Sequence, residues 1–170
     1  FKRNYNEGPS FVDAAWDAIK GKDVIQAFSA GNNDRATPYH RGAYPYFNPE
    51  AESQWLVISG LRQVDKTSDP YNFKLEENFN EAGYAKFWTL SAPGQNGATS
   101  SVNGVDQYGG YSGTSMATPF VSGAFAVLAS RYSDMTAVQI RQVLLTTANH
   151  KNADGTDMIG WKNADGSTPL

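Results

Sequence analysis

Apolar and polar positions in the first third of the chain predict one amphipathic helix and two buried strands. Between Ser10 and Lys20 the apolar residues recur at helical spacing, and Gly21 follows, which indicates a helix that ends there. The runs 23–29 and 55–61 are short, rich in apolar residues and bounded by turn-forming positions, as is typical of buried strands. Helix, strand and turn in this order predict an α/β layered fold.

The segments on either side of the second strand show a less regular pattern of apolar and polar residues. Residues 35–53 carry three prolines among scattered aromatic and polar residues, and we interpret them as a long loop without its own secondary structure, which is often functional. Residues 63–80 are polar, whereas 82–91 are consistent with a further strand that ends at Ala92-Pro93-Gly94. A Gly/Ser/Asn-rich stretch then precedes the C-terminal part of the chain.

The C-terminal part contains two predicted helices. Residues 116–131 are apolar on every side, which predicts a helix buried around its whole circumference. Thr136 and Gln139 have the spacing of a capping box at the start of a second, more exposed helix. Two copies of Asn-Ala-Asp-Gly, at 152–155 and 163–166, are explained by paired turns, since repeat architectures need at least three units.

Composition excludes several classes of function. The 14 basic and 17 acidic residues nearly balance, and no basic run would bind nucleic acid or an anionic membrane. No stretch approaches the roughly 20 apolar residues that cross a bilayer. The chain has no cysteine and only two histidines, so disulfides, thiolate zinc sites and three-histidine metal sites are excluded within it.

The strongest chemical signal is Ser115, at the start of the apolar helix. It lies in Gly-Thr-Ser-Met-Ala-Thr-Pro, residues 113–119. A serine at a helix N-terminus lies among unpaired backbone N–H groups, which would stabilise an anion formed during acyl transfer. Pro119 falls in the first turn, where its missing N–H costs nothing.

This motif resembles the nucleophile motif of the subtilase family. Two further elements match in the family's order: Ser29-Ala30-Gly31-Asn32 at the end of a predicted strand, and Leu90-Ser91-Ala92-Pro93-Gly94. The resemblance implies a three-layer α/β/α subtilisin-like fold with a mostly parallel sheet. It also implies that residues 1–170 form the C-terminal part of the catalytic domain.

The resemblance implies specific roles and a polypeptide substrate. Ser115 would attack the scissile carbonyl, while its backbone N–H and the Asn32 side chain would hold the developing oxyanion. The other residues implied to bind substrate are Ser29, Ala30, Gly31 and Thr114. A turn-forming role for Asn32 stays as the alternative, because Gly-Asn-Asn favours turns.

The triad aspartate and histidine of the family have no counterpart in this sequence. Neither His40 nor His150 has the family's Gly-Thr-His context, and both are expected to be solvated loop residues. Because a serine hydroxyl needs a nearby base, we expect the chain alone to be inactive and the missing N-terminal part of the domain to be its partner. Phe120 also departs from the family, in which histidine commonly follows the motif proline.

The segments 44–50, 55–57 and 79–88 resemble the subtilase passenger domains of Gram-negative autotransporters, which implies secretion or surface display. No cofactor is required for the chemistry. Calcium binding by the Asn-Ala-Asp-Gly oxygens, as in many subtilases, stays open beside turn formation.

Two rival interpretations remain: a pseudoprotease or binding module, and an assembly module on the same fold. Because several strands of the parent sheet are expected to precede Phe1, we expect a sheet edge and helix 116–131 to be partly uncovered, which predicts self-association or a partner along that edge.

Overall fold

The computed structural model describes residues 11–64, 73–95, 97–99, 109–149 and 155. In chain order the helices and strands are α1 (Phe11–Ile19), β1 (Gln26–Ser29), α2 (Tyr44–Phe47), a 3₁₀ helix (Pro49–Gln54), β2 (Trp55–Gln63), β3 (Phe73–Leu75), a second 3₁₀ helix (Gly83–Trp88), β4 (Thr89–Pro93), β5 (Gly97–Thr99), β6 (Gly109–Tyr111), α3 (Thr114–Arg131) and α4 (Ala137–Thr147).

β2 is the central strand of a mostly parallel sheet. β1 pairs with its first half in parallel, with Ser29 opposite Ile58, and β4 pairs in parallel on the other side, with Gly60 opposite Ala92. β3 runs antiparallel to the end of β2. β5 and β6 form a separate antiparallel pair. The carboxyl ends of β1 and β4 therefore point toward the same edge of the sheet.

Helices cover both faces of this sheet. Because successive side chains of a strand point to opposite faces, β2 contributes to two separate cores. The core shared with α1 and α2 includes Val12, Trp16, Tyr44, Trp55 and Val57. The core shared with α3 includes Leu56, Ile58, Ala117 and Val121, with Leu144 and Leu145 of α4 packed against it. The predicted α/β/α layering is confirmed.

The prediction of a structureless loop over 35–53 was wrong, because this segment contains α2 and the first 3₁₀ helix. Pro45 and Pro49 each lie in the first turn of one of these helices, where proline is tolerated because its missing N–H has no partner there anyway. The strand expected over 82–91 is also shorter than predicted. Its first part is a 3₁₀ helix, and only Thr89–Pro93 joins the sheet.

α3 forms where it was predicted, but it is not buried on all sides. Of its side chains only Thr114, Ala117 and Val121 are buried. On the opposite side Phe120 is 55% exposed and Val127 is 68% exposed. Within the described residues, the sheet covers only one face of this apolar helix.

α4 begins at the predicted capping box. The Thr136 hydroxyl accepts a hydrogen bond from the Gln139 N–H at 3.2 Å, and the Thr136 N–H donates to Gln139 Oε1 at 2.8 Å. The two Asn-Ala-Asp-Gly segments lie outside the described residues, except for Gly155.

Gln54 fixes the entry into the central strand. Its side chain is buried, and Nε2 donates to the carbonyls of Ile19, Lys22 and Val24 at 3.2, 2.6 and 2.9 Å. The two hydrogens of this amide are shared among three acceptors. One side chain thus holds the end of α1 and the approach to β1 against the start of β2.

We expect Gln54→Ala to lower the free energy of unfolding by about 1–3 kcal/mol, because three partly buried carbonyls lose the side-chain donor that joins them. Urea denaturation monitored by tryptophan fluorescence measures this. The control is Ser130→Ala on the exposed surface of α3, for which a change within about 0.5 kcal/mol is expected. Equal stability of the two variants would contradict the role given to Gln54.

Candidate active site

The loop that follows β1 has a backbone that only glycine supports. Ala30 continues the pairing with β2 through its N–H, which donates to the Ile58 carbonyl at 2.9 Å. Gly31 has φ +117°, and a Cβ at this position would lie 2.5 Å from Asn80 Nδ2 and 2.8 Å from a ring carbon of Tyr39. The tight turn at Gly31 brings Asn32 out at the carboxyl edge of the sheet.

The N-terminus of α3 meets this loop. Gly113 precedes the helix with φ +156°, and its N–H donates to the Gly94 carbonyl at 2.7 Å. The Gly94 N–H in turn donates to the Leu61 carbonyl at 2.9 Å. The Ala92-Pro93-Gly94 turn therefore anchors the start of α3 to the end of the central strand.

A closed set of hydrogen bonds joins Asn32 to Thr114. Asn32 Oδ1 accepts from the Thr114 N–H at 2.9 Å and from its hydroxyl at 3.0 Å. The same hydroxyl accepts from the Gly31 N–H at 3.1 Å. Because a backbone N–H can only donate, these contacts define which atom of the Asn32 amide is oxygen. The other end of the Asn32 amide, Nδ2, can only donate. It lies close to Gly113, because a Cβ placed on Gly113 would be 3.2 Å from Nδ2.

Ser115 is the second residue of α3 and is exposed. Its backbone N–H belongs to the first turn, where helical N–H groups have no partner within the helix. The Met116 and Ala117 N–H groups both point to the Gly113 carbonyl, at 2.9 and 3.3 Å. The structure thus brings the Ser115 hydroxyl, the Ser115 N–H and the Asn32 carboxamide to one helix terminus.

The four residues predicted to bind substrate differ in accessibility. Ser29 is half-buried at the end of β1, and Gly31 is buried in the turn. Ala30 and Thr114 have no exposed surface at all. Ala30 and Thr114 therefore cannot touch a substrate directly and can only support the residues that do. The hydrogen bonds of Thr114 hold the Asn32 side chain in place.

The sequence interpretation missed Asn80 as a part of this region. Asn80 has no exposed surface, and its side chain bonds the loop that carries Asn32. No residue pattern marks Asn80, because a polar stretch that ends in Phe-Asn-Glu does not show that its asparagine is buried.

Among the contacts of the described residues, none joins His40 to Ser115. His40 lies in a surface turn, where partial burial lowers its pKa below the usual range and the neighbouring Arg41 acts in the same direction. His150 lies outside the described residues.

The residues of this strand end and helix terminus lie within a region that is similar to a known protein family. A model of the family described as "Subtilase family" matches residues 3–166. The chain belongs to the subtilase family. The resemblance inferred from the motifs is thereby confirmed.

Subtilase relatives support the same assignment. The chain is 30% identical over 150 residues to the "Neisserial autotransporter lipoprotein NalP" of Neisseria meningitidis serogroup B, covering 84% of this chain and 14% of that protein. It is 31% identical over 166 residues to an "Extracellular serine protease" of Serratia marcescens, covering 85% of this chain and 15% of that protein. The chain therefore spans only about one seventh of these two relatives.

Comparison of structures confirms the subtilisin-like fold. The structure of the "Prenylagaramide maturation protease PagA" matches with a TM-score of 0.67 at 22% identity, covering 90% of this chain and 50% of that one. At this identity the likeness concerns the fold alone.

None of the helices among residues 11–64, 73–95 and 109–149 has the length and apolar character needed to span a bilayer. The same described ranges contain no group of three or more His, Asp or Glu side chains suited to a metal ion. The two Asn-Ala-Asp-Gly segments, for which calcium binding is an open expectation, lie outside these ranges.

We expect Gly31→Ala to lower the free energy of unfolding by about 2–5 kcal/mol, since the added methyl strains the backbone and overlaps Asn80 and Tyr39. Denaturant unfolding of the chain measures this. The matched control is Gly123→Ala in α3, where a Cβ meets no other atom within 4 Å. There a gain of about 0.5–1 kcal/mol is expected from helix propensity. Equal effects at both positions would contradict the close packing described for the loop.

Proposed function

We propose that this chain carries the nucleophile and the oxyanion donor of a serine endopeptidase that cleaves peptide bonds through an acyl-enzyme on Ser115. The observation that supports this most is the pair of hydrogen bonds from Thr114 to Asn32 Oδ1. They hold the carboxamide at the terminus of the helix whose next residue is the exposed Ser115. Membership of the subtilase family agrees with this chemistry.

In the proposed reaction Ser115 Oγ forms a bond to the scissile carbonyl carbon, and its proton passes to a general base. The carbonyl oxygen becomes negative and accepts hydrogen bonds from the Ser115 N–H and Asn32 Nδ2. Collapse of this intermediate breaks the C–N bond, and the amine leaves with the proton. Water then hydrolyses the ester by the same route and frees Ser115.

None of the described residues that contact Ser115 is a general base, so the base must be supplied by another part of the protein. Subtilases use a histidine oriented by an aspartate, and we assign both to a region that this chain does not contain. The isolated chain should therefore have no peptidase activity. No step requires a metal or an organic cofactor.

The proposed substrate is a polypeptide, bound beside Ser29. This residue is small and half-buried, so a substrate can approach it, whereas the buried Gly31 shapes the loop behind it. Since the relatives include an autotransporter and an extracellular protease, we place the activity outside the cell or on its surface.

Labelling with a fluorophosphonate tests the proposal. We expect Ser115 to be modified in the complete catalytic domain, meaning the natural protein that joins this segment to the histidine and the aspartate, because only there is a base available. The isolated chain should be labelled at least about 10³-fold more slowly. Mass spectrometry of the labelled peptide identifies the residue.

The control is Ser115→Ala in the complete domain, which should abolish labelling. Labelling that persists in this variant would reject Ser115 as nucleophile. A complete domain that folds, binds peptides and is not labelled would identify a pseudoprotease or binding module instead.

The exposed apolar side of α3 is the proposed docking face for the rest of the domain. Phe120, Ala124 and Val127 recur at helical spacing on one side of the helix, and all three are exposed. Within the described residues β1 pairs only with β2, so its other edge can accept a further strand. A helix that is apolar on all sides is stable in water when both sides are covered.

We expect Val127→Lys to weaken association of the chain with a separately produced N-terminal segment by about 10-fold or more, because a charge is placed in an apolar contact. The same variant should reduce self-association of the chain alone. Analytical ultracentrifugation measures both. Val138→Lys on α4, where the valine is 37% exposed, is the matched control and should have little effect. Equal loss in both variants would reject this face of α3.

A further inference from the structure

The side chain of Asn80 makes hydrogen bonds to the backbone on both sides of Asn32. Its Nδ2 group donates to the Ala30 carbonyl at 3.1 Å. Its Oδ1 accepts from the N–H groups of Asn33 at 3.0 Å and Arg35 at 3.3 Å. A single buried carboxamide therefore fixes the backbone on both sides of the residue that carries the oxyanion donor.

The backbone of Asn80 is fixed as well. Its N–H donates to the Gly31 carbonyl at 2.9 Å, and its own carbonyl accepts from the Ser59 hydroxyl at 2.8 Å. Ser59 belongs to the central strand and is 1% exposed. The loop is thus tied through Asn80 to the most deeply buried part of the sheet.

Of the side chains considered, only asparagine can donate to the Ala30 carbonyl and also accept from the Asn33 and Arg35 N–H groups. An aspartate keeps the acceptor but turns an oxygen toward the Ala30 carbonyl, and an apolar side chain removes the acceptor of the Asn33 and Arg35 N–H groups. Glutamine is one methylene longer, and the fully buried site has no space for it. Asn80 approaches Gly31 so closely that a Cβ there would lie 2.5 Å from its Nδ2.

We propose that Asn80 is a positioning residue for the oxyanion hole: it sets where the Asn32 carboxamide lies relative to Ser115, without touching the substrate. The proposal rests on the proposed function, since it gives Asn32 the role of oxyanion donor. Thr114 fixes the Asn32 side chain, and Asn80 fixes the backbone from which that side chain extends. Without Asn80 the loop regains freedom, and Nδ2 loses its alignment with the reacting carbonyl.

A double-mutant cycle in the complete catalytic domain tests this. Misplacement of a catalytic group by about 1 Å can cost about 10² in rate, so Asn80→Ala should lower kcat by about 10–100-fold and change KM by less than about 3-fold. Loss of the oxyanion asparagine in a subtilase costs about 10²–10³ in kcat, which is the effect expected for Asn32→Ala. In the Asn32→Ala background, Asn80→Ala should lower kcat by less than about 3-fold, because the group that it positions is gone.

Gln54→Ala is the control, since it also removes a buried carboxamide that bonds three backbone groups, but at the opposite edge of the sheet. It should leave kcat unchanged. If Asn80→Ala does not fold, the cycle is run with Asn80→Asp, which keeps the acceptor for Asn33 and Arg35 and should lower kcat less.

Nuclear magnetic resonance of the 170-residue chain gives a readout that does not depend on activity. The side-chain amide signal of Asn32 should move toward its unfolded position in the Asn80 variants and not in Gln54→Ala.

The outcomes separate the two proposals. Additive effects of Asn80→Ala and Asn32→Ala on kcat, or an unmoved Asn32 amide signal, would overturn the positioning role while the oxyanion role of Asn32 stands. Unchanged kcat in Asn32→Ala alone would overturn both.

Discussion

The hydrogen bonds between Asn32 Oδ1 and Thr114 are the contacts on which the candidate site depends. They join the end of β1 to the start of α3 across 82 positions of sequence. Both elements are anchored independently, β1 by its parallel pairing with β2 and α3 by its packing against the same strand. The side-chain contacts then need only close a short gap, so little conformational entropy is lost in ordering them.

Buried carboxamides recur where loops meet the sheet. Gln54 holds backbone carbonyls at the entry into β2, and Asn80 holds the loop at the carboxyl end of β1. A neutral amide is suited to this task, because it offers both donors and acceptors without the desolvation cost of a buried charge. The fold thus uses uncharged groups to fix the loop that the proposed chemistry requires.

The exposed apolar side of α3 bears on the proposed function. The side of α3 that faces away from the sheet is exposed, although the helix is apolar on that side too. The same helix presents Ser115 at its N-terminus. A partner that covers this helix would therefore lie close to the nucleophile, which is where a base supplied from elsewhere must be.

The sequence by itself determined the family, the α/β layering, the capping box of α4 and the two motifs around Ser115 and Asn32. These features rest on local periodicity or contiguous motifs, which short stretches of sequence encode completely. The tertiary structure alone decided that the proline-rich segment 35–53 contains helices, that one side of α3 is exposed, and that Asn80 is buried beside the Asn32 loop. Each of these depends on which distant groups come within bonding or packing distance, and neither periodicity nor residue type reports that.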